Sequence, residues 1–309
     1  MALRGGAAPD AGPAGRKRVG EIRAQLGLGT AAFERGYGLA GNATMGPRER
    51  EALLRDALSG GIDYVDTSLH YGDAEALLGR LSGLVRERGV RVCEKFTPAE
   101  RLRALPGSLA RLGVDRVDTI LLHSARNRQL VDADVEAWMM TLKSSGVARR
   151  TGASTYGAED ARFALGLSWV DTVQVEHSIL NPSVVGAIST ARHATQQIVA
   201  RSVLCKGLLT PRRRTVDGIS PSLREGLDRL ESRALDWGFA SLAELAIRFA
   251  LDTAGVDVVL VGIATREELQ TALAAAAHPP LDAGQLEALK AFDYSDDPWV
   301  HPERWELVR

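Results

Sequence analysis

The stretch Ile62-Asp63-Tyr64-Val65-Asp66-Thr67-Ser68-Leu69-His70-Tyr71-Gly72 carries a short apolar strand that ends in a carboxylate, followed by a tyrosine in the next loop. Gly60-Gly61 before it predicts the end of a helix over Pro47–Ser59, because proline suits a helix's first turn and glycine its end. A second helical pattern follows over Ala74–Arg86. The stretch therefore predicts a strand between two helices, which is the repeating unit of an α/β protein.

The same alternation continues along nearly the whole chain. The predicted strands are short apolar runs, at Glu21–Thr30, Ile62–Asp66, Val90–Lys95, Val117–His123, Arg150–Ser154, Thr172–Glu176, Ile198–Leu204 and Val256–Val261. The predicted helices show helical periodicity, at Pro47–Ser59, Ala74–Arg86, Pro98–Leu112, Asp132–Ser145, Ala158–Leu165, Val184–Ala194, Ser222–Leu251 with a break near Gly238, Thr265–Ala276 and Ala283–Phe292. About eight strand–helix units predict a parallel sheet closed into a single (β/α)8 TIM barrel.

No linker-like stretch divides the chain, so we expect one barrel domain over residues 20–309. Residues 1–19 are rich in Ala, Gly, Pro and Arg without an apolar run, which predicts a flexible N-terminal leader and no signal peptide. No apolar stretch approaches the length of a membrane span. We therefore expect a cytoplasmic protein.

The overall composition excludes several classes of partner. A formal net charge of −1 over 309 residues argues against a nucleic-acid partner. Cys93 and Cys205 are the two cysteines, too few for a disulfide framework or a cysteine-rich zinc site. We expect a small-molecule substrate and no metal site; the oligomeric state is left open.

Four polar residues stand at or just after three consecutive predicted strands: Asp66, Tyr71, Lys95 and His123. In a barrel these positions share the carboxyl-terminal face, where active sites lie. A tyrosine beside a lysine can protonate a carbonyl oxygen, since a cation favours the phenolate and lowers the phenol's pKa toward neutrality. The aspartate would hold the lysine, and the histidine would orient the carbonyl. No side chain supplies a hydride, so the set implies a nicotinamide cofactor.

The sequence resembles the aldo-keto reductase superfamily, in the manner of its bacterial members, from about Ile22 to Ala276. The matching motifs are Leu26-Gly27-Leu28-Gly29-Thr30, the stretch over residues 62–72, Glu75-Ala76-Leu77-Leu78-Gly79, Lys95-Phe96, Leu121-Leu122-His123, residues 149–156, Gln174-Val175-Glu176 and Val261-Gly262. The resemblance implies a (β/α)8 barrel that uses NAD(P)H without a Rossmann domain. It implies that Tyr71 is the general acid, that Lys95 and Asp66 tune it, and that His123 positions the substrate carbonyl.

The resemblance also implies a set of cofactor-binding residues. They are Gly29, Thr30, Asp66, Ser154, Thr155, Gln174, Arg201, Ser202, Leu204, Gly207, Gly262, Thr265 and Arg266. Within this set, Ser154 and Gln174 match positions that hold the nicotinamide carboxamide. Arg201 stands where relatives often stack a tyrosine on the nicotinamide ring, and a guanidinium plane can also stack. Thr155 replaces a common asparagine.

The loop after the last strand is expected to meet the adenosine phosphate at a helix N-terminus, where amides favour anions. Arg266 is the expected partner of a 2′-phosphate, so NADPH is the expected cofactor and NADH the alternative. Thr271-Ala272 stands where relatives carry Glu-Asn for adenine, which leaves this choice open.

Gly27-Leu28-Gly29-Thr30-Ala31-Ala32 fits a dinucleotide fingerprint, but the glycines after it predict no helix, so we reject that interpretation.

Two arginine groups fall on loops at the same face: Arg126 with Arg128, and Arg212-Arg213-Arg214. We interpret them as solvated charges, with recognition of a substrate phosphate or carboxylate as the alternative.

Tyr37-Gly38-Leu39-Ala40-Gly41-Asn42 resembles bacterial members found among sugar-processing enzymes, which favours a sugar-like or polyhydroxylated carbonyl substrate.

The leading hypothesis is an NAD(P)H-dependent oxidoreductase that reduces an aldehyde or ketone, or catalyses the reverse. One alternative is a cofactor-binding regulatory or scaffold subunit, which the intact catalytic set disfavours. Another is a non-redox barrel enzyme in which Lys95 forms a Schiff base.

Overall fold

The computed structural model describes residues 24–34, 36–39, 45–301 and 305, without the side chains of residues 127 and 128. The predicted leader, residues 1–19, lies outside the described residues. Within these ranges no helix combines the length and the apolar character that crossing a membrane requires.

Eight parallel strands close into a barrel in sequence order, which confirms the predicted (β/α)8 fold. The strands are β1 Gln25–Gly29, β2 Tyr64–Asp66, β3 Arg91–Phe96, β4 Val117–Leu122, β5 Ala148–Ser154, β6 Thr172–Glu176, β7 Gln197–Arg201 and β8 Val258–Gly262. Gly29 pairs with Asp66 on one side and with Gly262 on the other, which closes the barrel.

Helices follow the strands on the outside of the barrel. They are α1 Pro47–Ser59, α2 Ala74–Arg80, α3 Ser82–Glu87, α4 Arg101–Leu112, α5 Asn127–Leu130, α6 Ala133–Ser144, α7 Gly157–Leu165, α8 Ser183–Ile188, α9 Pro221–Asp236, α10 Leu242–Asp252, α11 Arg266–Ala277 and α12 Ala283–Leu289. A 3-10 turn over Thr30–Phe33 follows β1, where a dinucleotide fingerprint would need an α-helix.

Several predicted elements are shorter than expected, such as β2, which begins at Tyr64 instead of Ile62, and two of them have a clear local reason. The strand predicted over Ile198–Leu204 ends at Arg201, because Ser202 adopts a φ of 61° that no strand can continue. The helix predicted over Val184–Ala194 ends at Ile188. There the Ser189 hydroxyl donates to the Gly186 carbonyl, a local bond of the kind that competes with helical pairing.

The predicted break near Gly238 is confirmed. Gly238 has a φ of 84°, and α10 begins directly after Ser241. Ser241 caps the helix, because its side chain accepts a hydrogen bond from the Glu244 amide. The break turns the chain so that α10 packs against α11.

The barrel interior is filled by its own cluster of side chains: Tyr64, Cys93, Leu121, Val199, Val258 and Leu260. A larger apolar core lies between the strands and the outer helices. Because the interior is packed and all strands run in parallel, polar side chains at the strands' carboxyl ends share one face. That face is where Asp66 and Lys95 lie.

Candidate active site

The four predicted catalytic residues come together at the carboxyl ends of β2, β3 and β4. Asp66 is the last residue of β2, and Lys95 lies one residue before the end of β3. His123 follows β4 directly, where its amide donates to the Phe96 carbonyl over 2.8 Å. Tyr71 lies in the loop after β2, whose turn is closed by a hydrogen bond from the Tyr71 amide to the Ser68 carbonyl.

Lys95 and Asp66 form a buried ion pair at the base of the site. The Lys95 Nζ atom lies 2.6 Å from Asp66 Oδ1, and the two side chains are 3% and 4% exposed. The other carboxylate oxygen accepts a bond of 2.8 Å from the Gln174 side-chain amide. Burial lowers the pKa of Lys95, but Asp66 and Tyr71 raise it more, so the net pKa lies above its ordinary value. The lysine is therefore a fixed cation.

Tyr71 lies against this cation. The Lys95 Nζ atom is 4.9 Å from the centre of the Tyr71 ring. Burial raises the pKa of Tyr71, and Lys95 lowers it less than burial raises it, so the pKa lies above 10.0. Lys95 lowers the pKa as expected, but the partial burial of the phenol outweighs that effect, so the pKa does not move toward neutrality. Tyr71 thus keeps its proton at neutral pH.

His123 stands edge-on to Tyr71, with ring centroids 6.0 Å apart and an angle of 88° between the rings. Burial, with the Lys95 cation as the next cause, lowers the pKa of His123 to about 4. The imidazole is neutral at physiological pH and carries one N–H donor. His70 lies 6.2 Å from His123 on the outer side and contacts Glu100 at 3.1 Å.

A cavity of about 350 Å³ extends along the ends of β7 and β8. Asp66, Tyr71 and Lys95 line one end of it, whereas His123 is not among its lining residues. Most of the predicted cofactor residues line it too: Gly29, Asp66, Gln174, Arg201, Ser202, Leu204, Gly207 and Gly262. The structure thus brings these residues together along this cavity, which forms a groove at the carboxyl ends of the strands.

Thr30, Ser154 and Thr155 lie behind the cavity wall. The Thr30 hydroxyl donates to the Asp66 carbonyl over 3.0 Å, so Thr30 supports the catalytic strand. Ser154 Oγ contacts Gln174 Oε1 at 3.4 Å. The hydroxyl oxygen of Thr155 is buried without a hydrogen-bond partner among the described residues.

Thr265 and Arg266 depart from the expected anion site. Thr265 caps α11 by accepting a bond from the Glu268 amide. The Arg266 guanidinium lies outside the cavity lining, with Nη2 3.2 Å from Asp56 Oδ2 of α1, and its side chain is 65% exposed. Arg266 therefore extends along the outside of the barrel instead of into the groove. The sequence showed the position of this arginine on α11 but not its direction.

Arg201 lines the cavity in a fixed orientation. Its guanidinium carbon lies 4.2 Å from the centre of the Tyr156 ring, and Nη2 donates to the Thr155 carbonyl over 2.7 Å. Glu176 lies 3.6 Å from the same nitrogen and accepts a bond of 2.8 Å from the Gly157 amide. The stacking partner Tyr156 was not identified from the sequence, because it comes from a different strand–helix connection.

Tyr37 is a second phenol of the cavity that the sequence did not single out as a site residue. Burial raises its pKa to about 12, and Tyr71 adds to that effect. The Leu39 amide donates to the Lys206 carbonyl over 2.9 Å, which holds the segment of Tyr37 against the loop after β7. A glycine-rich loop gives no sequence signal of this contact.

The arginines of the two loops at this face, residues 126 and 128 and residues 212–214, do not form one cluster. Arg213 is 4% exposed and bonds Glu231 of α9 at 2.6 Å, so its interpretation as a solvated charge was wrong. Arg214 bonds the same carboxylate, and Arg126, 61% exposed, bonds Asp160. The side chain of Arg128 lies outside the described residues. Of the loop arginines whose side chains the structure describes, Arg212 alone lines the cavity.

The family model for the aldo/keto reductase family matches residues 25–293. Aldo-keto reductase str7 of Strobilurus tenacellus is 30% identical over 215 residues, covering 61% of this chain and 63% of that protein. An aldo-keto reductase of Mycolicibacterium smegmatis is 30% identical over 151 residues, covering 46% of this chain and 53% of that protein. The matched part of the chain thus spans less than two thirds of either relative.

Solved structures have the same barrel. The holo form of aldo-keto reductase AKR11C1 from Bacillus halodurans gives a TM-score of 0.73 at 22% identity, covering 87% of this chain and 92% of that chain. The glycerol dehydrogenase AKR11B4 of Gluconobacter oxydans gives 0.69 at 19% identity, covering 87% and 91%. At these identities the likeness concerns the fold.

Proposed function

The chain belongs to the aldo-keto reductase family, and on that premise we propose that it reduces an aldehyde or ketone with NAD(P)H, or oxidises the corresponding alcohol. The observation that carries the proposal is the buried Lys95–Asp66 pair beside a protonated Tyr71 at one end of a groove. A proton donor, a fixed cation and a neutral imidazole are what carbonyl reduction requires of side chains.

The residues of the groove fit a nicotinamide dinucleotide. The carboxamide needs donors and acceptors, and Gln174 would supply them at the catalytic end, with the hydroxyls of Ser154 and Thr155 buried next to it. Arg201 would lie beside the ring, and main-chain groups of Ser202, Leu204 and Gly207 would meet the pyrophosphate. When bound, the reduced cofactor supplies the hydride that no side chain can provide.

Tyr71 is the proposed general acid. Its raised pKa keeps the phenol protonated, so it can donate its proton as the carbonyl oxygen gains negative charge. The Lys95 cation then stabilises the phenolate that remains, and Asp66 holds the cation in place. The N–H of neutral His123 is the proposed second donor to the same oxygen, which orients the carbonyl.

The preferred substrate class is a sugar-like or polyhydroxylated carbonyl. The polar aromatic residues near the catalytic end, Tyr37, Tyr71, His70 and His123, support it because they combine hydrogen-bonding groups with flat apolar faces. Part of the loop whose sequence suggests this class, residues 40–42, lies outside the described residues.

A Schiff-base enzyme is the weaker alternative. Nucleophilic attack needs a neutral amine, and the pairing with Asp66 holds the pKa of Lys95 above its ordinary value. A carbonyl ligand that is trapped on Lys95 by borohydride would favour this alternative. A regulatory subunit would bind cofactor but show no turnover with any carbonyl.

The test is a panel of aldoses, ketoses and simple aldehydes, assayed by loss of the dihydronicotinamide absorbance with either cofactor. We expect turnover that is saturable in the carbonyl and strongest for hydroxylated substrates. Cofactor binding with no turnover across the panel would contradict the proposal. We further propose that residues 20–309 form the single catalytic domain, and that the enzyme works on small molecules in the cytoplasm.

A further inference from the structure

The far end of the groove has an unusual balance of charge for a site that would hold a phosphorylated adenosine. The lining residues of that end come from α10, the start of α11 and the loop after β7: Ser241, Ala243, Ile247, Glu267, Glu268, Thr271 and Arg212. Among them are two carboxylates and one guanidinium; the ammonium of Lys206, from the same loop, also lines the groove and lies over the Tyr37 ring. Arg266, the cation that the sequence offered to a 2′-phosphate, bonds Asp56 outside this lining.

The single guanidinium of that end is already paired. Arg212 Nη2 lies 2.6 Å from Glu268 Oε1, across the groove from the loop after β7 to α11. A 2′-phosphate that used Arg212 would have to share it with Glu268. The carboxylate would then lie beside a group that carries about −1.5 to −2 charges.

The amides of residues 264, 267 and 268, around the start of α11, are engaged by the chain itself. The Ala264 amide donates to Glu268 Oε2 over 2.7 Å, and the Glu268 amide donates to the Thr265 hydroxyl over 3.2 Å. A hydrogen bond from its own amide, and then the Thr265 hydroxyl, lower the pKa of Glu267, so this side chain stays anionic. Two carboxylates thus occupy the position where a helix N-terminus would otherwise attract a phosphate.

We propose that this end of the groove selects NADH over NADPH, with Glu268 as the specificity-determining residue and Glu267 as its support. Carboxylates repel a 2′-phosphate, whereas they accept hydrogen bonds from the ribose 2′- and 3′-hydroxyls that NADH presents there. The inference rests on the proposed use of a nicotinamide cofactor. It assigns to Arg212 the role of holding Glu268 in place, and no role to Arg266.

The test measures binding, by calorimetry and by quenching of tryptophan fluorescence, for NADH and NADPH and for the fragments 5′-ADP and 2′,5′-ADP. We expect the unmodified protein to bind NADH at least about tenfold more tightly than NADPH, the ratio that corresponds to about 1.4 kcal/mol. The two fragments should show a preference of the same direction. Added salt should weaken the preference, because exposed charges are screened.

Glu268→Gln is the decisive variant. It keeps an oxygen that can accept from the Ala264 amide, removes the negative charge and releases Arg212, so NADPH and 2′,5′-ADP should gain affinity and the NADH preference should fall. Arg266→Ala is the matched control on the same helix, and it should leave the ratio unchanged.

Tighter binding of NADPH than of NADH by the unmodified protein would overturn the inference while leaving the proposed reductase intact. An unchanged ratio in Glu268→Gln, or a selective loss of NADPH affinity in Arg266→Ala, would also overturn it. Selective binding of NADH without turnover of any carbonyl would support the inference and contradict the proposed function. Absence of binding of both dinucleotides and both fragments would contradict both.

Discussion

Glu94→Gln is predicted to stabilise the protein and to flatten the pH dependence of its stability. Glu94 is fully buried next to Lys95 on β3, where one carboxyl oxygen accepts the Lys95 amide over 3.0 Å and the other has no partner among the described residues. Glu75 of α2 also carries a buried, unpartnered oxygen, while its other oxygen bonds Arg111 at 2.6 Å. Burial, and next the charge of Glu75, raise the pKa of Glu94 from 4.5 to about 8.

The magnitude follows from that difference in pKa. The unfolded chain releases this proton above about pH 4.5, whereas the folded chain keeps it until about pH 8, so stability is lost as the pH rises through this interval. At about 1.4 kcal/mol per pKa unit, the free energy of unfolding falls by about 5 kcal/mol over the whole interval. About 3 kcal/mol of this has been lost at pH 7. Glutamine carries no proton to lose, and its amide can donate to a carboxylate such as Glu75.

The assay is urea unfolding of both proteins at several pH values between about 5 and 8, with the exposed Glu87→Gln as the control for loss of a surface charge. We expect the free energies of unfolding to be similar at the acidic end and to diverge in favour of Glu94→Gln toward pH 8. Parallel curves for the two proteins across this range would show that Glu94 is already ionised in the fold, and the reasoning would be refuted.

Two further predictions concern other buried groups. Lys95→Met should move the rising limb of the pH–rate profile for alcohol oxidation to higher pH, since it removes the cation that lowers the pKa of Tyr71. The substitution also leaves Asp66 as an uncompensated buried charge, at a cost of about 3–5 kcal/mol, so the double variant Asp66→Asn/Lys95→Met is the control. A reduced rate with an unmoved limb would mean that Lys95 only positions its neighbours. Burial lowers the pKa of His177 from 6.5 to about 4, so stability should be lost as the pH falls through this interval, by up to about 3 kcal/mol. His177→Gln, which can keep the bond to Thr253 Oγ1, should reduce that loss in acid unfolding curves, and an equal acid sensitivity of the variant would count against it.

The sequence predicted the barrel and the meeting of Asp66, Tyr71, Lys95 and His123, because both follow from strand order. Once strands are parallel and sequential, residues at their carboxyl ends must share a face, whatever the details of packing. Features that depend on side-chain direction were not predictable. Arg266 lies on the expected helix but turns toward Asp56, and Arg213 is buried against α9 instead of solvated.

The electrostatics of the site could be predicted least. The sequence showed that Lys95 would lower the pKa of Tyr71, but the depth of burial decides the sign of the net change, and depth is a property of the assembled barrel. The same holds for Glu94 and Glu75, which come from β3 and α2 and meet outside the barrel wall. The stacking of Arg201 on Tyr156 likewise joins two loops that sequence spacing does not relate.

The central claim, that Tyr71 delivers the proton in a cofactor-dependent carbonyl reduction, is tested most directly by Tyr71→Phe. The ring remains against Lys95 and only the phenolic oxygen is lost, so cofactor affinity measured by fluorescence should stay within about twofold of the unmodified protein. Carbonyl reduction should fall by about 10²–10⁴-fold, the usual contribution of general acid catalysis. A fall in rate of less than tenfold, or a loss of cofactor affinity as large as the loss of rate, would contradict the claim.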